Sequence, residues 1–123
     1  MKILTRIYVV VLLLSIFAAA CSTTPEEFPT GIYIDDNGGV IEFKEDGTYQ
    51  LSDSVGKEPQ IFGEYVIDQD TITISDNLFY CPDYVGKYHW SVAKDRSLNF
   101  EVIEEECVRR QIILVKGLAL LQP

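Results

Sequence analysis

Residues 63–74 read Gly-Glu-Tyr-Val-Ile-Asp-Gln-Asp-Thr-Ile-Thr-Ile. Tyr65 and Ile67 alternate with Glu64, Val66 and Asp68; a polar break follows, and Ile72 and Ile74 then alternate with threonines. Strand side chains point alternately to opposite faces, so two runs of period two joined by a short polar turn describe a β-hairpin. Residues 86–100, GKYHWSVAKDRSLNF, repeat the pattern: Tyr88, Trp90 and Val92 alternate with Lys87, His89 and Ser91 ahead of a second polar turn.

Outward from these hairpins, the same alternation marks further short segments. The strands expected are Gly31 to Asp35, Val40 to Lys44, Thr48 to Ser52, Gln60 to Ile67, Thr71 to Ser75, Val85 to Ala93, Leu98 to Ile103 and Gln111 to Lys116. From Gly31 onward no run of ten or more residues has helical apolar spacing, so the domain is expected to be all-β. The connections fall into two sets. Residues 45–47, 68–70 and 94–97 are tight polar turns, with Asp46-Gly47 a strong hairpin signal because glycine accepts positive φ. Residues 53–59, 76–84 and 104–110 are long. In a meander the tight turns share one end and the long connections the other, where the short Asp36-Asn37-Gly38-Gly39 link also falls. The expected architecture is a single small antiparallel up-and-down barrel of about eight strands, with a β-sandwich as the alternative. Gly-x-Tyr recurs at Gly31/Tyr33, Gly47/Tyr49, Gly63/Tyr65 and Gly86/Tyr88. Turn-ending glycine beside a residue of high β preference accounts for it locally.

Ahead of the domain, Lys2 and Arg6 precede an uncharged apolar run from Ile7 to Ala20. A basic start, an apolar stretch shorter than the roughly 20 residues of a membrane span, and closing small residues read as a signal peptide. Ala18-Ala19-Ala20-Cys21 resembles the lipobox of bacterial lipoproteins. The resemblance implies that Cys21 is lipidated, becomes the new N-terminus and anchors the protein to the cell envelope. Each buried lipid methylene contributes about 0.8 kcal/mol, so several chains hold effectively permanently. Ser22 after the cysteine implies, by the same resemblance, the outer membrane where a cell has two; ordinary cleavage and secretion is the alternative. Residues 1–20 are then the signal, 21–29 the lipidated cysteine and a flexible Pro-containing tether, and 30–123 the folded domain. By strand parity the tether leaves from the tight-turn end.

Removing Lys2 and Arg6 from the ten cations leaves eight against nineteen acids and takes the formal charge from −9 to −11. So acidic a domain argues against nucleic acid as partner. Cys81 and Cys107 lie in long connections of the same end, and export permits a disulfide. Closing about 26 residues would contribute roughly 3.5 kcal/mol on the chain-entropy estimate. There is no Cys-x-x-Cys and one histidine, which disfavours thiol or zinc chemistry, and no metal or other cofactor is expected. His89 alternates with Tyr88 and Trp90 and is expected to face solvent. Asp35-Asp36-Asn37-Gly38 and Glu104-Glu105-Glu106 are oxygen-rich, but the first lacks the spaced ligands and closing Glu of an EF-hand loop, so both are read as solvated turns. No nucleophile–base pair stands out, and an enzyme is not expected.

The eight-strand meander, Gly31 and Tyr33 on the first strand and Arg110 before the last resemble the lipocalin and related calycin barrels. There a Gly-x-Trp and a late arginine pack together at the barrel base, and Tyr33 takes the place of the tryptophan here; strand parity instead puts Arg110 at the long-connection end, where its local reading is charge balance beside Glu104 to Glu106. Two functions follow for an envelope-anchored binding domain. One takes a small apolar ligand inside, with Tyr65, Ile67, Tyr88, Trp90, Leu98 and Phe100 as lining or simply as core. The other binds a cationic envelope protein, as inhibitor or partner, through an acidic rim of Asp53, Asp76, Asp83, Glu104, Glu105 and Glu106. Replacing Cys21 by Ser is expected to move the protein from the membrane to the soluble fraction, checked by fractionation and immunoblot; continued membrane retention would sink the anchor.

Overall fold

The structure, a computed structural model, describes residues 26–76, 81 and 84–123. Its strands are β1 (Gly31–Ile34), β2 (Val40–Phe43), β3 (Thr48–Ser52), β4 (Ile61–Asp68), β5 (Thr71–Asp76), β6 (Gly86–Val92), β7 (Leu98–Glu104) and β8 (Ala119–Gln122), with one helix, α1 (Val108–Val115), between the last two. They form a single eight-stranded antiparallel sheet, each strand paired with its sequence neighbour from β1 to β7 and β8 added beside β1. The hairpin read at residues 63–74 closes as expected, with Tyr65 opposite Ile74 and Ile67 opposite Ile72. In its echo Trp90 faces Phe100 across β6 and β7. The sheet curls until its two edges touch. Leu98 and Leu118 exchange two backbone hydrogen bonds of 2.8 Å each, the seam of the barrel-like sheet. Beyond that bridge α1 packs against β7, which covers an edge that would otherwise offer unpaired backbone groups.

The eighth segment corrects the sequence reading. Gln111 to Lys116, expected as a strand, lies mostly within α1, and the last strand begins at Ala119. As a strand, Arg110, Ile112 and Leu114 would share a face. In the helix Cys107, Arg110 and Leu114 fall on one side and are buried, while Ile112 is exposed. The helix is only eight residues long, too short for the periodicity that separates helix from strand. Cys107 stands at its N-cap position without a side-chain capping bond. Its end is marked in the sequence: Gly117 has φ of 82° and donates its N–H to the Leu114 carbonyl at 3.1 Å, a left-handed stop favoured by glycine.

The inside of the curled sheet is filled. Tyr65, Tyr88, Trp90, Leu98 and Phe100 are buried in one cluster with Tyr33, Phe43 and Tyr49, and Ile67 packs against it, so the six residues expected to line the barrel do meet. Phe28, assigned to the tether, also packs into this core. Its ring centroid lies 5.2, 5.3 and 5.4 Å from those of Phe43, Trp90 and Tyr65, and the Pro29 carbonyl accepts a 2.6 Å bond from the Tyr33 hydroxyl. Packing therefore begins two residues before the expected domain boundary. All four tyrosines of the Gly-x-Tyr repeats point inward, and each hydroxyl has a partner, as buried tyrosines require. Cys21 and Asp83 lie outside the described residues.

Two of the repeat's glycines serve this packing. Gly63 has the inward phase of Tyr65, and a Cβ there would lie 2.6 Å from the Tyr49 ring and against the Ser75 carbonyl. At an open strand position alanine would gain about 0.5–1 kcal/mol over glycine. At Gly63 that gain is outweighed by overpacking, which typically costs about 1–3 kcal/mol. Gly63→Ala is therefore expected to lower the urea midpoint of unfolding; an unchanged or higher midpoint would show that Tyr49 does not need this space.

Candidate functional site: a buried arginine at the long-connection end

β5 ends at Asp76, β6 starts at Gly86 and β7 runs out toward Glu105, all at the end where the long connections lie. α1 brings Arg110 into the space between them. The side chains of Arg110, Asp76 and Glu105 are 4, 2 and 0% exposed. Arg110 donates from Nε to Glu105 Oε2 at 2.7 Å and from Nη2 to Glu105 Oε1 at 2.8 Å, a bidentate fork. Nη1 reaches Asp76 Oδ2 at 2.9 Å, and Nη2 also reaches the Tyr84 carbonyl at 2.7 Å. Tyr49 donates to Asp76 Oδ2 at 2.7 Å, Tyr88 donates to Glu105 Oε2, and the Cys107 amide donates to Glu105 Oε1 at 2.9 Å. Among the described residues no buried side-chain nitrogen or oxygen lacks a partner.

Gly86 makes the arrangement possible, because a Cβ at that position would fall on the Glu105 carboxylate. The disulfide frames it. Cys81 and Cys107 are bonded with their Cα atoms 5.7 Å apart, tying the connection after β5 to the start of α1, and Ile61 packs over the pair. The same bridge thus holds both chain segments that supply Arg110 and its Tyr84 partner.

Electrostatics follow from the geometry. Burial alone would push the Glu105 carboxyl up, but the bonds from Arg110, Tyr88 and the Cys107 amide prevail and hold it below the ordinary glutamate range. Burial alone would lower the Arg110 guanidinium; its bonds to Glu105 and Asp76 raise it instead, so it stays charged. Tyr49 and Tyr88 are pushed well up, first by burial and then by donating to Asp76 and Glu105. A recess of about 20 Å³ beside the cluster, lined by Tyr49, Asp76, Arg110 and Leu114, has room for about one water. Glu105 Oε1, Glu105 Oε2 and Asp76 Oδ2 each accept two hydrogen bonds, an arrangement that can hold the guanidinium's charge in place.

Asp76 and Glu105 are therefore corrections to the acidic rim: each turns inward to the guanidinium. Asp53, Glu104 and Glu106 are exposed as expected. His89 is half exposed, with Nδ1 3.5 Å from Asp70 Oδ2. Among the described residues no group of three or more His, Cys, Asp or Glu is placed to hold a metal ion. Arg110 lies at the long-connection end beside Glu105, where strand parity and local charge balance put it, and does not pair with Tyr33 as in the lipocalin resemblance. Tyr33 bonds to Pro29 at the tight-turn end and Arg110 to acids at the other. The sequence signal for the cluster was the glycine at inward-phase positions 63 and 86, where a missing side chain marks a close approach.

The fold and cluster define a small all-β domain whose sheet is braced at one end by a buried ion network and a disulfide. No family model, no curated protein and no solved structure matches the chain.

Truncating one partner of a buried ion pair strands the rest, at about 3–5 kcal/mol. Arg110→Met is expected to cost about that much in chemical denaturation; a loss within experimental error would mean the two acids are solvated without it. Because the folded-state pKa of Glu105 is depressed, its contribution is complete above the unfolded value near 4.5 and fades as pH falls through the folded value. The tyrosines act oppositely: their stability is present below the unfolded value of 10.0 and lost as pH rises beyond it. Stability measured against pH should fall at both extremes, and Glu105→Gln should flatten the acid limb; an acid limb unaltered by Glu105→Gln would refute the assignment.

Proposed function

We propose that the chain is a non-catalytic domain, lipid-anchored at Cys21 to the bacterial cell envelope, that works by contact with another protein rather than by enclosing a ligand. The observation that carries this reading is the filled interior. Phe28 packs in from the tight-turn end, Arg110 and Leu114 from α1 pack in at the other, and a continuous aromatic cluster lies between. A drug-sized ligand needs an enclosing pocket of roughly 300 Å³ or more; the recess beneath α1 measures about 20 Å³, and the larger recesses, of about 370 to 470 Å³, are open grooves lined in part by exposed residues such as Phe62, Glu64, His89, Ser91 and Glu101. The architecture is read as a lipocalin-like barrel that has exchanged its cavity for core.

Contact then falls to the surface. Asp36, Asp53, Glu58, Glu104 and Glu106 are exposed on or beside the connections of the long-connection end, which faces away from the tether. Such a field steers a cationic partner and loses strength as salt rises. Affinity capture from envelope extracts is expected to retain a basic protein that is lost with D53K/E104K/E106K and at high salt. Native mass spectrometry of the extracted protein is expected to show the mass of the lipidated chain with no further small molecule bound. A small apolar molecule co-purifying stoichiometrically would replace this reading with the ligand-binding one.

A further inference from the structure

The face of α1 turned away from the core is apolar. Val108, Ile112 and Val115 are 67, 53 and 48% exposed, and their i, i+4, i+7 spacing places them in one stripe opposite buried Arg110 and Leu114. Val85, one residue beyond the Tyr84 carbonyl that binds Arg110, and Ile103 on β7, the strand against which α1 packs, are also exposed apolar residues. A concentration of this kind on a strongly acidic domain marks an interface. Lys116 is exposed at the end of the helix, and Glu106 is exposed immediately before its N-cap residue.

We propose that this face binds a second copy of the chain, with two α1 helices packed antiparallel about a two-fold axis near Ile112. A two-fold interface must be complementary to itself. The stripe meets that condition in sequence: Ile112 stands between Val108 and Val115, so antiparallel packing sets Ile112 against its own equivalent and Val108 against the partner's Val115. The charges choose the same direction. Antiparallel helices bring Glu106, at the positive end of the helix dipole, beside the partner's Lys116 at the negative end; a parallel pair would set like charge on like. One short helix pair covers less than the roughly 800 Å² per partner of a standard interface, so the dimer is weak and concentration-dependent. Confinement of tethered chains to one surface would raise its occupancy. The dimer itself does not depend on the anchor or on a cationic partner.

The test uses the full chain carrying Ile112→Cys, oxidised mildly and run on a non-reducing gel. A covalent dimer is expected at a yield several-fold above that of Val66→Cys, a residue 67% exposed on β4 that carries the same native cysteines as background. Val108→Cys is expected to cross-link no better than that control. Lys116→Glu added to Ile112→Cys is expected to reduce the yield, and Glu106→Lys added to both is expected to restore it. The proposal is overturned by an Ile112→Cys yield equal to the Val66→Cys control, by efficient cross-linking of Val108→Cys, which marks a parallel pair, or by failure of the charge swap to rescue. It is overturned equally if the chain stays monomeric and Cys at 112 is shielded from a water-soluble maleimide only when phosphatidylcholine vesicles are added, which assigns the face to lipid.

Discussion

A guanidinium removed from water has to be met by negative charge and by acceptors for its N–H groups, and the long-connection end is arranged around meeting that demand at Arg110. Asp76 at the end of β5 and Glu105 beyond β7 provide the charge, and the Tyr84 carbonyl provides a further acceptor. Both carboxylates then have spare lone pairs, which Tyr49, Tyr88 and the Cys107 amide fill. The requirement spreads into the sheet. Gly86 is bare because the Glu105 carboxylate occupies its side-chain space, and Gly63 is bare because the Tyr49 ring does. A chain of satisfied bonds thus runs from the helix through two tyrosines into the strands, and loss of the guanidinium at its centre would leave two buried acids uncompensated.

The Cys81–Cys107 bridge and this network reinforce one another because they act on the same segments. Cys107 begins α1 and lends its amide to Glu105, while Cys81 lies three residues before the carbonyl that Arg110 holds. The helix lacks a capping side chain and has no acid in its first turn. Its start is therefore stabilised by the bridge and the ion cluster rather than by local sequence, which is consistent with the low intrinsic stability of a helix of eight residues.

At the tight-turn end the closure is apolar. Phe28 brings a ring from outside the strands against Phe43, Tyr65 and Trp90, and the Trp90 indole donates to the Gln69 carbonyl at 3.0 Å. The domain is thus sealed by an aromatic side chain at one end and an ion network at the other. A sealed barrel-like sheet offers its outer surface, and that surface combines exposed acids with one apolar helix face.

Alternation in the sequence determined seven strands, their order and the two classes of connection, because a half-buried antiparallel strand writes its inward face into every second residue. It also determined that Cys81 and Cys107 meet and that His89 faces out. The helix and the final strand were decided by tertiary structure. Val-Arg-Arg-Gln-Ile-Ile-Leu-Val suits either conformation locally, and burial of Arg110 and Leu114 from one helical face selected between them. The fate of individual acids was likewise beyond the sequence. Glu104, Glu105 and Glu106 are chemically identical neighbours, and only the position of a guanidinium brought by a different element distinguishes the buried one from the two in solvent. Periodicity records which face a residue occupies; which charge it meets there depends on contacts between segments far apart in the chain.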